Sequence, residues 1–129
     1  MMLRSRSRIG TENRIAAERG GQRGEALAAL FLQLKLYHIR DRRFKSPVGE
    51  IDLVAEKGNT IVFVEVKTRF RPGDEAAALA AVNQARIARA AQYWLARHPR
   101  EAGRDFRFDV IFLAQGRWPR HLINAFSAF

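Results

Sequence analysis

The chain has 129 residues, 23 Lys+Arg against 13 Asp+Glu, and no cysteine. That length fits a single domain, and zero cysteine excludes a disulfide framework, a thiolate zinc site and a cysteine nucleophile. A formal charge of +10 points to a polyanionic partner, nucleic acid before an anionic membrane.

Residues 1–21 read as a basic, flexible arm, with Gly20-Gly21 interrupting any helix begun near Thr11. The arm lacks the apolar run of a secretory signal. No stretch approaches the roughly 18 apolar residues of a membrane span, and the lack of cysteine makes the cytoplasm the expected compartment. Residues 22–129 then form one domain. From Glu25 to about Tyr37 the pattern is helical, with Leu27, Leu30, Phe31 and Leu34 as the stripe expected to face the core. Glu25, Ala29, Leu32 and Leu36 fall on nearly the opposite side. This helix is apolar on two faces: either it is sandwiched, or its outer face meets a second copy in a homodimer.

His38–Lys45 reads as a basic strand, followed by a turn at Ser46-Pro47-Val48-Gly49. Glu50–Glu56 and Thr60–Arg69 read as strands joined through Gly58-Asn59, a two-residue turn of the primed type. After a loop around Pro72-Gly73, Glu75–His98 reads as one alanine-rich helix stopped by Pro99. Phe106–Ala114 alternates as another strand, Gly116–Pro119 is a turn, and His121–Phe126 adds a short last strand. The order is that of an α/β domain with hairpins and one crossover.

The central hairpin carries the chemistry. With Gly58-Asn59 as the loop, Asp52 lies opposite Glu65 and Glu50 opposite Lys67. Side chains alternate along a strand, so all four project from one face of the sheet. Two carboxylates facing each other repel. A shared proton, neutralisation by Lys67 or a bound divalent cation would each offset that cost. Hard oxygen ligands suit Mg²⁺ or Mn²⁺. A plainer reading is a cross-strand salt-bridge set with Glu50 paired to Lys67.

Gly49-Glu50-Ile51-Asp52-Leu53-Val54-Ala55 and Val62-Phe63-Val64-Glu65-Val66-Lys67-Thr68-Arg69 together resemble the PD-(D/E)xK nuclease superfamily. Gly24-Glu25, Phe108-Asp109-Val110 and Ile123-Asn124-Ala125-Phe126 extend the likeness to the YraN family, small bacterial proteins related to Holliday-junction resolvases. The resemblance runs from about Gln22 to Phe126. It implies a restriction-endonuclease-like αβββαβ core, a central mixed sheet flanked by helices. It also implies Asp52 and Glu65 as ligands of a divalent metal, with Lys67 positioning or activating the attacking water. Glu25 matches the helical acid that completes many such sites, and the resemblance implies the carbonyl of Val66 as a further ligand. Glu25 also has a simpler role, favouring the positive end of its helix. Two departures stand out: Ile51 replaces the name-giving proline, and Asn83-Gln84 stands where basic residues are expected.

Arg86, Arg89, Tyr93 and Arg97 fall within about 80° of helical arc, a face that would grip a phosphate backbone and stack on a base. Arg69 and Arg71 follow the proposed site directly, and Arg40, Arg42, Arg43 and Lys45 form a further patch. No base-reading motif is present, so specificity is expected for structure rather than sequence. His38, His98 and His121 lack metal-ligand spacing, and Asp109 reads as structural. The expectation is a metal-dependent nuclease-like protein acting on DNA rather than RNA, branched or structured DNA included. The alternatives are a non-catalytic nucleic-acid-binding module and a protein-interaction subunit on the same fold.

Overall fold

A computed structural model describes residues 23–68 and 70–127. The basic arm expected at residues 1–21 lies outside them, as does Arg69. Residues 23–34 are helical (α1). They precede β1 (His38–Ser46), β2 (Gly49–Lys57), β3 (Thr60–Lys67), α2 (Glu75–Ala80) and α3 (Gln84–Ala96). A single 3₁₀ turn (Pro99–Glu101) leads to β4 (Asp105–Phe112) and β5 (Arg120–Phe126). The five strands lie in the order β1-β2-β3-β4-β5. All neighbours are antiparallel except β3 and β4, which run parallel across the α2–α3 crossover. This is the mixed sheet with flanking helices anticipated from the sequence.

Turn chemistry sets the hairpins. Gly58 adopts φ 59° at the first turn position, and Lys57 pairs with Thr60 as expected. Alternation then sorts the apolar residues. Ile61, Phe63, Phe108, Val110 and Phe112 pack with Ile87, Ala90, Ala91 and Trp94 of α3. Leu53, Ala55, Val62, Val64 and Ile111 pack with Ala28, Ala29 and Leu32 of α1. The β2–β3 hairpin is therefore covered on both faces.

Two expectations are corrected. The buried face of α1 is Gly24, Ala28, Ala29 and Leu32, whereas Leu27, Leu30 and Leu34 are 54%, 52% and 72% exposed. Size decides between the two apolar faces. A Cβ placed on Gly24 would stand 2.5 Å from Thr68 Cγ2, so small residues let the helix lie close to the sheet. Leu36, grouped with that buried side, is 82% exposed and has φ 69° just past the helix end.

The alanine-rich stretch is two helices rather than one. Asn83 breaks it, its Oδ1 accepting from the Arg86 amide at 3.1 Å as the N-cap of α3. Asparagine favours that position because its short side chain satisfies an otherwise orphaned helical N–H.

Candidate active site

The β2–β3 ladder ends at Leu53–Val64, and beyond it the two strands pair only with their outer neighbours, β2 with β1 and β3 with β4. Continuing the register would set Ile51 against Val66 and Asp52 against Glu65. Instead the Val66 amide donates to Asp52 Oδ2 at 2.7 Å. A side chain has taken the place of a backbone acceptor, and the opened strand ends form one wall of a cleft.

That cleft, of about 420 Å³, is lined by Glu50, Asp52, Glu65 and Lys67 from the sheet. Ala81, Asn83, Arg86 and Ile87 line the opposite side. The expected convergence of the four charged hairpin residues on one face is therefore found. The helix break at Asn83 supplies the far wall, and a continuous helix would not present the same residues. Gly49 seats that wall: a Cβ there would lie 2.9 Å from Arg86 Cγ and 3.0 Å from the Arg86 carbonyl oxygen.

Charge inside the cleft is frustrated. Burial, and then the Asp52 charge, push the Glu65 carboxyl up to about 7, against the opposing pull of Lys67. Burial also raises Asp52, opposed by the Val66 amide and by hydrogen bonding with Glu65. The two acids are electrostatically coupled, and the charge on Asp52 disfavours ionisation of Glu65. Lys67 Nζ stands 3.6 Å from Glu65 Oε1. The expected Glu50–Lys67 pair is not the one formed, because the splayed strands leave Glu50 exposed and turn Lys67 toward Glu65.

Glu25 sits on α1, which covers the other face of the sheet. Its Oε2 lies 3.4 Å from Arg43 Nε, reached from a backbone held at φ 51°. Burial and the nearby Asp52 raise its pKa, and Arg43 opposes them. Glu25 thus feels Asp52 electrostatically without lining the cleft. Among the described residues, no group of three or more His, Cys, Asp or Glu side chains is placed to hold a metal ion. The donor set within the cleft is the Asp52–Glu65 pair. Two mutually repelling carboxylates beside open space fit a divalent cation, which would relieve their repulsion and favour the ionised form of both.

Of the basic residues singled out from sequence, Arg86 lines the cleft, while Arg71, Arg89 and Arg97 are exposed outside it. Tyr93 is half-buried against Phe44, ring centroids 6.2 Å apart, with Arg97 5.7 Å over its ring. Asn83 was legible only as a missing base, although its N-cap preference was a usable signal.

Two of the histidines have structural roles. His98 stacks on Trp94 at 3.9 Å. His121 Nε2 lies 2.7 Å from Asp109 Oδ2, and its Nδ1 lies 2.7 Å from Lys35 Nζ. Asp109, wholly buried, also accepts two bonds from Arg107 and one from the Asn124 amide. Burial pushes its carboxyl up, but these donors outweigh it and hold the pKa low. As expected, Asp109 is structural: it ties β5 to β4 at an irregularity in their register.

Comparison with known proteins supplies the relationship. A family model described as "Uncharacterised protein family UPF0102" matches residues 24–113. A UPF0102 protein of Methylorubrum extorquens is 51% identical over 107 residues, 83% of this chain and 84% of its own. One from Rhodopseudomonas palustris is 46% identical over 128 residues, 99% of this chain and 98% of its own. One from Parvibaculum lavamentivorans is 48% identical over 111 residues, 86% of this chain and 84% of its own.

Proposed function

The chain belongs to the UPF0102 family, the YraN family of the sequence resemblance, and we propose that it is a metal-dependent nuclease-like hydrolase of DNA phosphodiesters, branched or structured DNA included. The observation that carries this reading is the Asp52–Glu65 pair with Lys67 at 3.6 Å, facing Arg86 across an open cleft. Mg²⁺ or Mn²⁺, when bound, would acidify water and neutralise charge at phosphorus. Asp52 and Glu65 would hold it, with the Val66 carbonyl as a backbone donor. Glu25, the further ligand that the resemblance implies, is paired with Arg43 and does not line the cleft.

Lys67 would orient the attacking water and hold charge on the phosphate. Lysine suits proton handling because its ammonium can yield a proton, whereas arginine stays charged. Arg86 would meet a phosphate oxygen from the opposite wall. The surplus of +10 would draw the strand to this acidic island. Calorimetric titration with Mn²⁺ tests the site. Binding should appear in wild type and vanish in Asp52→Asn plus Glu65→Gln, and equal heats in both would sink it.

The exposed leucines of α1 favour a second reading, a protein-interaction subunit that docks through that helix. It predicts a stable homodimer that ignores DNA. Sedimentation of wild type and Leu30→Glu, with and without DNA, separates the two readings. No described helix is long and apolar enough to cross a membrane.

A further inference from the structure

A second hollow, of about 160 Å³, opens one strand away from the cleft. Buried Phe112 floors it with half-buried Phe70, and Pro72, Glu75, Arg117, Trp118 and Arg120 are among its other lining residues. Lys67 and Phe112 are register partners on the parallel strands β3 and β4. Phe112 packs on the α3 side of the sheet, the side on which the acidic cleft opens. Neighbouring strands lie about 4.8 Å apart, so this floor stands beside the Lys67 end of that cleft.

Trp118 is 87% exposed, whereas Trp94 is fully buried. Leaving an indole in water forgoes the largest apolar burial any side chain offers. Its presentation is fixed by local chemistry. Gly116 supplies φ 75°, the Arg117 amide closes the turn on the Ala114 carbonyl at 3.2 Å, and Pro119 restricts Trp118 itself to extended backbone. A backbone set in advance limits the freedom lost when the ring binds. Arg117 and Arg120 are both exposed beside it. Arg120 reaches Glu75 at 3.4 Å and is still 66% exposed.

We propose that Trp118 is a stacking platform for an unpaired nucleobase. The base would belong to the strand whose phosphate enters the Asp52–Glu65 cleft, with Arg117 and Arg120 holding its flanking phosphates. The inference rests on the nucleic-acid reading given above and adds a ligand class to it. An exposed aromatic between arginines is the combination that binds single strands, because every base offers a π-face and every link a phosphate. Such a subsite selects unpaired DNA without reading its sequence.

The test is equilibrium binding in EDTA of a duplex with a single-stranded tail and of a fully paired duplex. Trp118→Ala should weaken the tailed DNA about tenfold and leave the paired duplex within twofold. Trp118→Phe should retain most of the affinity. Adding tailed DNA should quench tryptophan emission in wild type and not in Trp118→Ala. Unchanged affinity of Trp118→Ala for tailed DNA would overturn the subsite alone, as would equal losses on both DNAs. A wild type that binds neither DNA would overturn the nucleic-acid reading and the subsite with it.

Discussion

Replacing Glu65 with glutamine should stabilise the metal-free protein above neutral pH. Burial and the Asp52 charge raise this carboxyl from 4.5 to about 7, so the native state holds the proton more tightly than the unfolded chain does. The contribution of Glu65 to stability is therefore greatest below its unfolded pKa and falls as pH rises through the window between those two values. At about 1.4 kcal/mol per unit, ionised Glu65 costs roughly 3 kcal/mol at pH 8 relative to pH 4. The side chain is 21% exposed, so solvent trims this figure without removing it. Gln keeps the shape of the protonated acid and cannot ionise. The variant should match wild type near pH 4 and exceed it by up to roughly 3 kcal/mol at pH 8. Urea unfolding in EDTA across that range measures the difference. Added Mn²⁺ should close the gap at pH 8 by stabilising wild type alone. A difference that does not grow with pH, or a wild type more stable than the variant at pH 8 without metal, refutes the reasoning.

Other positions give independent checks. Gly49→Ala would drive a Cβ to 3.0 Å from the Arg86 carbonyl oxygen, a backbone contact that cannot swing aside; chemical denaturation should show a loss of about 1–3 kcal/mol, and no loss would mean that α3 is not seated there. Asn83→Ala removes the cap of α3 and should cost about 1 kcal/mol, with a matching drop in amide protection over the first turn of the helix. Asp109→Asn leaves Arg107 and His121 without their buried anion. It should destabilise by roughly 3 kcal/mol at pH 7 and progressively less as pH falls through the depressed Asp109 pKa, since that stability is present only above it. A loss independent of pH would contradict the ion-pair account.

Much of this arrangement was legible in the sequence because local rules fixed it. Gly58-Asn59 set the hairpin register, and period-two alternation put Glu50, Asp52, Glu65 and Lys67 on one face. What was not legible depends on three-dimensional fit. α1 is apolar on two sides, and only the close approach of Gly24 to Thr68 decides which is buried. The extrapolated register put Glu50 opposite Lys67, and with the splay beyond Leu53–Val64 the pair formed is Lys67–Glu65. The alanine-rich helix hid its break because alanine continues a helix without objection. Only the Asn83 cap betrays it, and with it the presence of Arg86 in the cleft. The exposure of Trp118 has no sequence signature, since an aromatic in a turn is as readily folded inward.

The central claim is that this cleft breaks phosphodiesters. Wild type, Asp52→Asn and Lys67→Ala should be incubated with Mn²⁺ and a panel of paired, flapped and four-way DNA. Cleavage by wild type of the structured DNAs, lost in both variants, is the result predicted. Equal cleavage by all three proteins, or none by wild type on any DNA that it binds, would contradict it.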